Sequence, residues 1–190
     1  MMKVENTSKQ EIKTIIEAQR AFFRSGETLG LKFRQQALCA LSKALKLWET
    51  RISEALWKDL HKSYEEAYMT ELSIVLSEID NHLHHLKRWM APKRVCTPLN
   101  MMPSKSKVVA EPLGCTLIMA PWNYPVLLCL EPLINTIAAG NCVILKPSAV
   151  SEQISFKETV TAELMSTSSP QKLRVKHLTP LLSYTEFFEL

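Results

Sequence analysis

Glycine is the scarcest structural resource in this sequence. Only Gly26, Gly30, Gly114 and Gly140 occur among 190 residues. A Gly-x-Gly-x-x-Gly fingerprint needs three closely spaced glycines, because the backbone there must approach a pyrophosphate with no Cβ in the way. A P-loop makes a similar demand. Neither fits. Any nucleotide site must work by other means or be incomplete, and the fold must rest on helices and short strands.

Composition permits such a fold. The apolar fraction of 46% is enough to bury a core, so disorder is not the expectation. A net charge of +4 is mildly basic, and Lys and Arg are interspersed with Glu along the chain. With no long basic block, nucleic-acid binding has no support. The five cysteines (Cys39, Cys96, Cys115, Cys129 and Cys142) form no CxxC pair, and the first residues are polar. Free thiols in a reducing, cytoplasmic compartment fit this pattern. No apolar run reaches the length of about 18 residues that a membrane span needs. The longest, residues 126–139, is broken by Glu131 and Pro132.

Periodicity predicts three helical stretches. In residues 8–25, Ile12, Ile15, Ile16, Phe22 and Phe23 fall near one face, Ser8 and Glu11 form a capping box, and Gly26 stops the helix. In residues 31–61 the stripe is Leu38, Leu41, Leu45, Trp48, Ile52, Leu56 and Leu60. In residues 64–90 it is Tyr68, Leu72, Val75, Ile79, Leu83 and Leu86. Prolines at 92, 98 and 103 make residues 91–106 a loop.

From there the pattern is strand-like at Lys107 to Ala110 and Cys115 to Ala120. A helix follows from Val126 to Ala139, then a strand from Cys142 to Leu145. Gly140-Asn141 is a helix stop. Apolar strands joined by a helix imply a parallel βαβ unit buried on both faces. A right-handed crossover places Asn123 and Lys146 near the same end of the sheet, where open α/β folds bind ligands. A further helix is expected over residues 151–166, and the tail to residue 190 has no clear period.

Asn123 lies in the turn Pro121-Trp-Asn-Tyr-Pro125. Taken alone, it could cap the following helix. Lys146 could be an ordinary surface lysine at a strand end, and Met119 and Trp122 could simply pack. His82, His84 and His85 read as a solvated helix face, since zinc would need further ligands in register. Ser63, Ser148 and Ser151 lack the context of a nucleophile elbow.

Four linked elements give these residues a context: Glu111-Pro-Leu-Gly114, Ala120-Pro-Trp-Asn-Tyr-Pro125, Ile137-Ala-Ala-Gly-Asn141 and Leu145-Lys-Pro-Ser148. In order and spacing they resemble the aldehyde dehydrogenase family. Residues 55–63 and 66–71 are similar to its class 3 and fatty aldehyde members. The resemblance covers roughly residues 10–165. It implies an α/β fold, with N-terminal helices followed by an incomplete parallel βαβ sheet of a cofactor-binding domain. Residues 1–165 would be part of that domain and residues 166–190 a divergent tail.

The resemblance also implies chemistry. Family members attack an aldehyde with a cysteine thiolate, pass hydride to NAD or NADP, and hydrolyse the thioester. Asn123 matches the asparagine whose NH₂ donates to the developing oxyanion, and the flanking prolines stiffen its turn. Lys146 matches the lysine that binds the adenosine ribose, and Met119 and Trp122 match residues beside the nicotinamide. NAD-preferring members often carry Glu three residues after that lysine. Ala149 stands there, so NADP is expected to be tolerated.

The family's nucleophile lies in a domain beyond this chain's last residue, and none of the five cysteines sits in its motif. Lys176-His-Leu-Thr-Pro180 resembles a family segment that precedes the general-base strand. Residues 181–190 lack the Glu-Gly-Gly motif, so Glu189 is not assigned as the base. The expectation is a truncated, catalytically incompetent member; the alternatives are a non-catalytic fragment that binds a full-length subunit, or an unstable product. Homo-oligomer formation is expected from the family, and no membrane anchor is. The aldehyde substrate is not defined.

Overall fold

Ser8 opens the first helix as its spacing from Glu11 predicts: its hydroxyl accepts from Glu11 N at 3.2 Å. In this computed structural model, residues 8–148, 151 and 175–177 are described. Helix α1 spans Lys9–Arg24 and yields to Gly26 at φ 78°. Helix α2, Leu31–Leu60, ends at His61 in the left-handed region. Its predicted stripe from Leu38 to Leu56 is buried.

The third predicted helix departs from regular α geometry. A short α3 (Tyr64–Ala67) passes through a π-helical turn, Tyr68–Leu72, into α4 (Ser73–Met90). A π turn slips the side-chain register. Tyr68, expected on the buried stripe, is exposed instead, while Glu71 and Leu72 are both buried.

The expected loop at 91–106 contains a strand. β1 (Lys93–Val95) pairs antiparallel with β2 (Ser106–Val108), which starts one residue before the expected strand and ends two residues before its predicted end. Prolines 98 and 103 sit in the connection, where they break no ladder bond.

The parallel unit follows prediction. β3 is Cys115–Met119, α5 is Leu127–Ala139 and β4 is Cys142–Lys146. β3 and β4 pair in register from Cys115↔Cys142 to Met119↔Lys146. β5 (Val175–His177) adds a parallel strand beside β4, inside the segment where no period was visible. The expected helix over 151–166 lies outside the described residues, apart from Ser151.

The sheet separates two apolar clusters. On one face Leu117 and Ile144 pack with Ile12, Ile15 and Ile16 of α1. On the other, Ile118, Val143 and Leu145 join α5, α2 and α4 in the main core. Strand alternation assigns these faces. Pro132 stands in the α5 interior on its solvent side, the position where a missing N–H is least costly.

Candidate functional site

The candidate site begins where the parallel strands end. Met119 and Lys146 are register partners, and Ala120 N donates to the Lys146 carbonyl at 3.0 Å, extending the ladder by one bond. The chain then enters the turn 121–125 and reaches α5. Asn123, four residues beyond the end of β3, therefore shares the C-terminal end of the sheet with Lys146. Trp122, Asn123 and Tyr124 are exposed, whereas Pro125 and Val126 are buried. Lys146 is half-buried and Met119 is 40% exposed.

The turn is held from below by an ion pair that sequence reading missed. Lys62 Nζ lies 2.6 Å from Glu71 Oε1, and both side chains are buried. The same ammonium donates to the Asn123 carbonyl at 3.4 Å and lies 3.9 Å from the Tyr124 ring centroid. The other Glu71 oxygen accepts from Val126 N at 2.8 Å and Leu127 N at 3.1 Å. Glu71 thus supplies the acceptor for the orphan N–H groups at the start of α5, with a negative charge suited to that helix end.

This geometry bears on the capping alternative for Asn123. The cap of α5 comes from α4's approach segment, not from the turn. The Asn123 carboxamide is left exposed, with its backbone fixed by Lys62. The signal for the anchor was faint, because Lys62 and Glu71 lie nine positions apart. Regular helical spacing does not join them, and only the π turn brings Glu71 inward.

Three of the cysteines are shifted away from the thiolate form by burial. Burial pushes the Cys129 thiol up to about 12. It does the same to Cys142, assisted by the neighbouring Cys115. Cys115 is raised by burial, against the opposing pull of Arg20 and Arg24. A nucleophilic thiol needs the reverse shift.

The histidine reading needs correction. His82 is not on a solvated face. It is buried, with Nδ1 3.0 Å from the Glu78 carbonyl and 3.2 Å from the Glu78 carboxylate, and its ring meets Trp89 edge-on. His84 and His85 do lie further out, each bonded to the carbonyl four residues back. Among the described residues no group of three His, Cys, Asp or Glu could hold a metal ion, and no helix is long and apolar enough to cross a membrane.

Lys146 presents an ammonium with three N–H donors at a strand end. Among the described residues no glycine-rich turn lies beside it. Ala149 lies outside the described residues.

Comparison with known proteins agrees with this architecture. The model of the aldehyde dehydrogenase family matches residues 1–170. The chain is 47% identical over 135 residues to 4,4'-diaponeurosporen-aldehyde dehydrogenase of Staphylococcus aureus, covering 71% of this chain and 29% of that protein. It is 37% identical over 173 residues to the dimeric NADP-preferring aldehyde dehydrogenase of the dog, covering 91% and 36%. The substrate-bound structure of Staphylococcus aureus AldH superposes with a TM-score of 0.82 at 38% identity, over 93% of this chain and 37% of that one. With about a third of its relatives' length and the same fold, this chain belongs to the aldehyde dehydrogenase family.

Proposed function

We propose that this segment supplies the oxyanion donor and the ribose contact of an NAD(P)-dependent oxidation of an aldehyde to a carboxylic acid. One observation carries the reading. The Lys62–Glu71 pair fixes the proline-bracketed turn from beneath, leaving the Asn123 carboxamide exposed at the strand end that also bears Lys146.

The residues divide the work. As a thiolate adds to an aldehyde, charge develops on the carbonyl oxygen, and a preorganised neutral donor stabilises that charge without moving. Asn123 is such a donor. Lys146 offers its protons to the ribose hydroxyls, and Met119 and Trp122 form the adjoining apolar surface. Bound NAD or NADP supplies the hydride acceptor. Ala149 carries no carboxylate to repel a 2′-phosphate, and the similarity to an NADP-preferring relative supports tolerance of NADP.

Of the five cysteines, burial holds Cys115, Cys129 and Cys142 away from the thiolate form. Residues 1–165 form part of the cofactor-binding domain, and residues 166–190 a divergent tail. By itself the chain is expected to be catalytically incompetent. The free thiols favour a cytoplasmic setting. A second reading, pairing with another subunit, draws on the exposed Val95, Leu99, Met101 and Val108 of the β1–β2 region.

A chimera tests the first reading. Residues 8–148 are grafted in place of the matching stretch of the staphylococcal relative, and aldehyde-dependent NAD(P)H formation is followed. Asn123→Ala should lower kcat by about 10²–10³-fold. Lys146→Ala should raise the cofactor KM about tenfold, with kcat nearly kept. An unchanged kcat for Asn123→Ala would reject the oxyanion assignment.

A further inference from the structure

Cys115 and Cys142 open β3 and β4 and stand opposite each other in the parallel register. Register partners carry their side chains to one face of the sheet, across strands about 4.8 Å apart. The face is the one that α1 covers, since Leu117 and Ile144, two residues further along, pack against Ile12 and Ile15. The two thiols lie at the N-terminal end of the strands, away from Asn123 and Lys146, and the oxidation reaction does not use them.

Access is unequal. Cys142 is buried, while Cys115 is half-exposed on β3, an edge strand among the described residues. Both thiols stay protonated at neutral pH, which disfavours oxidation through a thiolate. A disulfide would also need its sulfurs about 2.05 Å apart and its Cβ atoms about 3.8 Å apart. Side chains on paired parallel strands stand roughly a strand spacing apart, wider than that. One larger soft atom can bridge two neighbouring sulfurs without that closure.

We propose that Cys115 and Cys142 form a two-point covalent site for a trivalent arsenical, bridged by a single arsenic atom. An organoarsenous acid, R–As(OH)₂, reacts with the two thiols. Two As–S bonds form, two As–O bonds break, and the thiol protons leave with the hydroxyls as two waters. Arsenic stays trivalent, so no oxidant or reductant is needed. Cys115 engages first at the sheet edge. Cys142 then closes the chelate intramolecularly, at high effective concentration. The organic group points away from the sheet edge.

The test treats the folded 190-residue chain with one equivalent of phenylarsine oxide in excess 2-mercaptoethanol and reads intact mass. The expected product carries one phenylarsenic group, survives the monothiol and is released by a dithiol. Cys39→Ser/Cys96→Ser should retain it. Cys115→Ser and Cys142→Ser should each weaken capture at least tenfold. Cys142 is buried, so Cys115→Ala, checked for native circular dichroism, guards against misfolding. Capture that persists without Cys115, requires Cys39 or Cys96, fails with the folded chain, or appears only after unfolding would overturn the site.

Discussion

Glu71 meets three donors with almost no help from water: the Lys62 ammonium and the first two N–H groups of the α5 region. Removing one partner of a buried pair strands the other charge. Glu71→Ala should therefore cost about 3–5 kcal/mol, read from urea unfolding by circular dichroism. Lys62→Met should cost less, because Glu71 keeps its two backbone donors. A loss below about 1 kcal/mol for Glu71→Ala would contradict the capping role. Cys129 gives a pH signature. Its folded-state pKa is raised from 9.0 to about 12 by burial. Below pH 9 both states hold the proton and the full stabilisation is present. As pH climbs from about 9 toward 12 the unfolded chain loses its proton first, and stability falls by at most about 1.4 kcal/mol per pH unit. Cys129→Ala should flatten that slope relative to the unsubstituted chain in paired unfolding curves at pH 8 and 10. Equal slopes would contradict the burial.

At the scale of elements, α5 is clamped at both ends by side chains from elsewhere. Glu71 holds its start. At its end Gly140 takes φ 88°, and Arg34 donates to the Ala138 carbonyl at 3.0 Å. Arg34 also binds the Thr28 and Leu29 carbonyls, so it cannot swing aside. A Cβ on Gly140 would lie 2.4 Å from Arg34 Nη2. Gly140→Ala should therefore cost about 2 kcal/mol or more. Gly30, at φ −71° with nothing within 4 Å of a Cβ, is the contrast. Gly30→Ser should add about 0.5 kcal/mol by capping α2 and restricting the unfolded chain. Comparable melting temperatures for the two variants would contradict this account. The helices and the βαβ unit were legible because their periods are local. The Ser8 cap, the Gly26 stop and the Gly140 stop came with them. The π turn was not legible: the spacing from Tyr68 to Leu72 and Val75 fits an ordinary helix, and the slip that buries Glu71 answers to a tertiary partner. His82 failed for a similar reason. Polar residues at helical spacing read as a wet face until Trp89 and Glu78 cover one of them.

For the whole molecule, α1 lies on one face of a parallel sheet and α5, α2 and α4 on the other, and among the described residues no helix covers the C-terminal strand ends. The linked motifs from Glu111 to Ser148 made this legible, since those at 120–125 and 137–141 sit at the turns that join β3, α5 and β4. β5 was hidden because three residues carry no period, and its pairing depends on β4. The chain spans about a third of its relatives' length. A purified 190-residue chain with NAD, NADP and a panel of aldehydes should form no NAD(P)H above the enzyme-free rate. Aldehyde-dependent turnover would contradict the expectation that the segment is catalytically incompetent by itself.

If Asn123 donates to the oxyanion, the Lys62–Glu71 pair beneath its turn should act on hydride transfer through it. A double-mutant cycle on single-turnover hydride transfer in the chimera measures this coupling. Glu71→Gln should slow transfer by at least tenfold when Asn123 is present, since small misplacements of a catalytic donor are costly. It should slow transfer less than twofold further in the Asn123→Ala background. Equal slowing in both backgrounds, or none in either, would contradict the account.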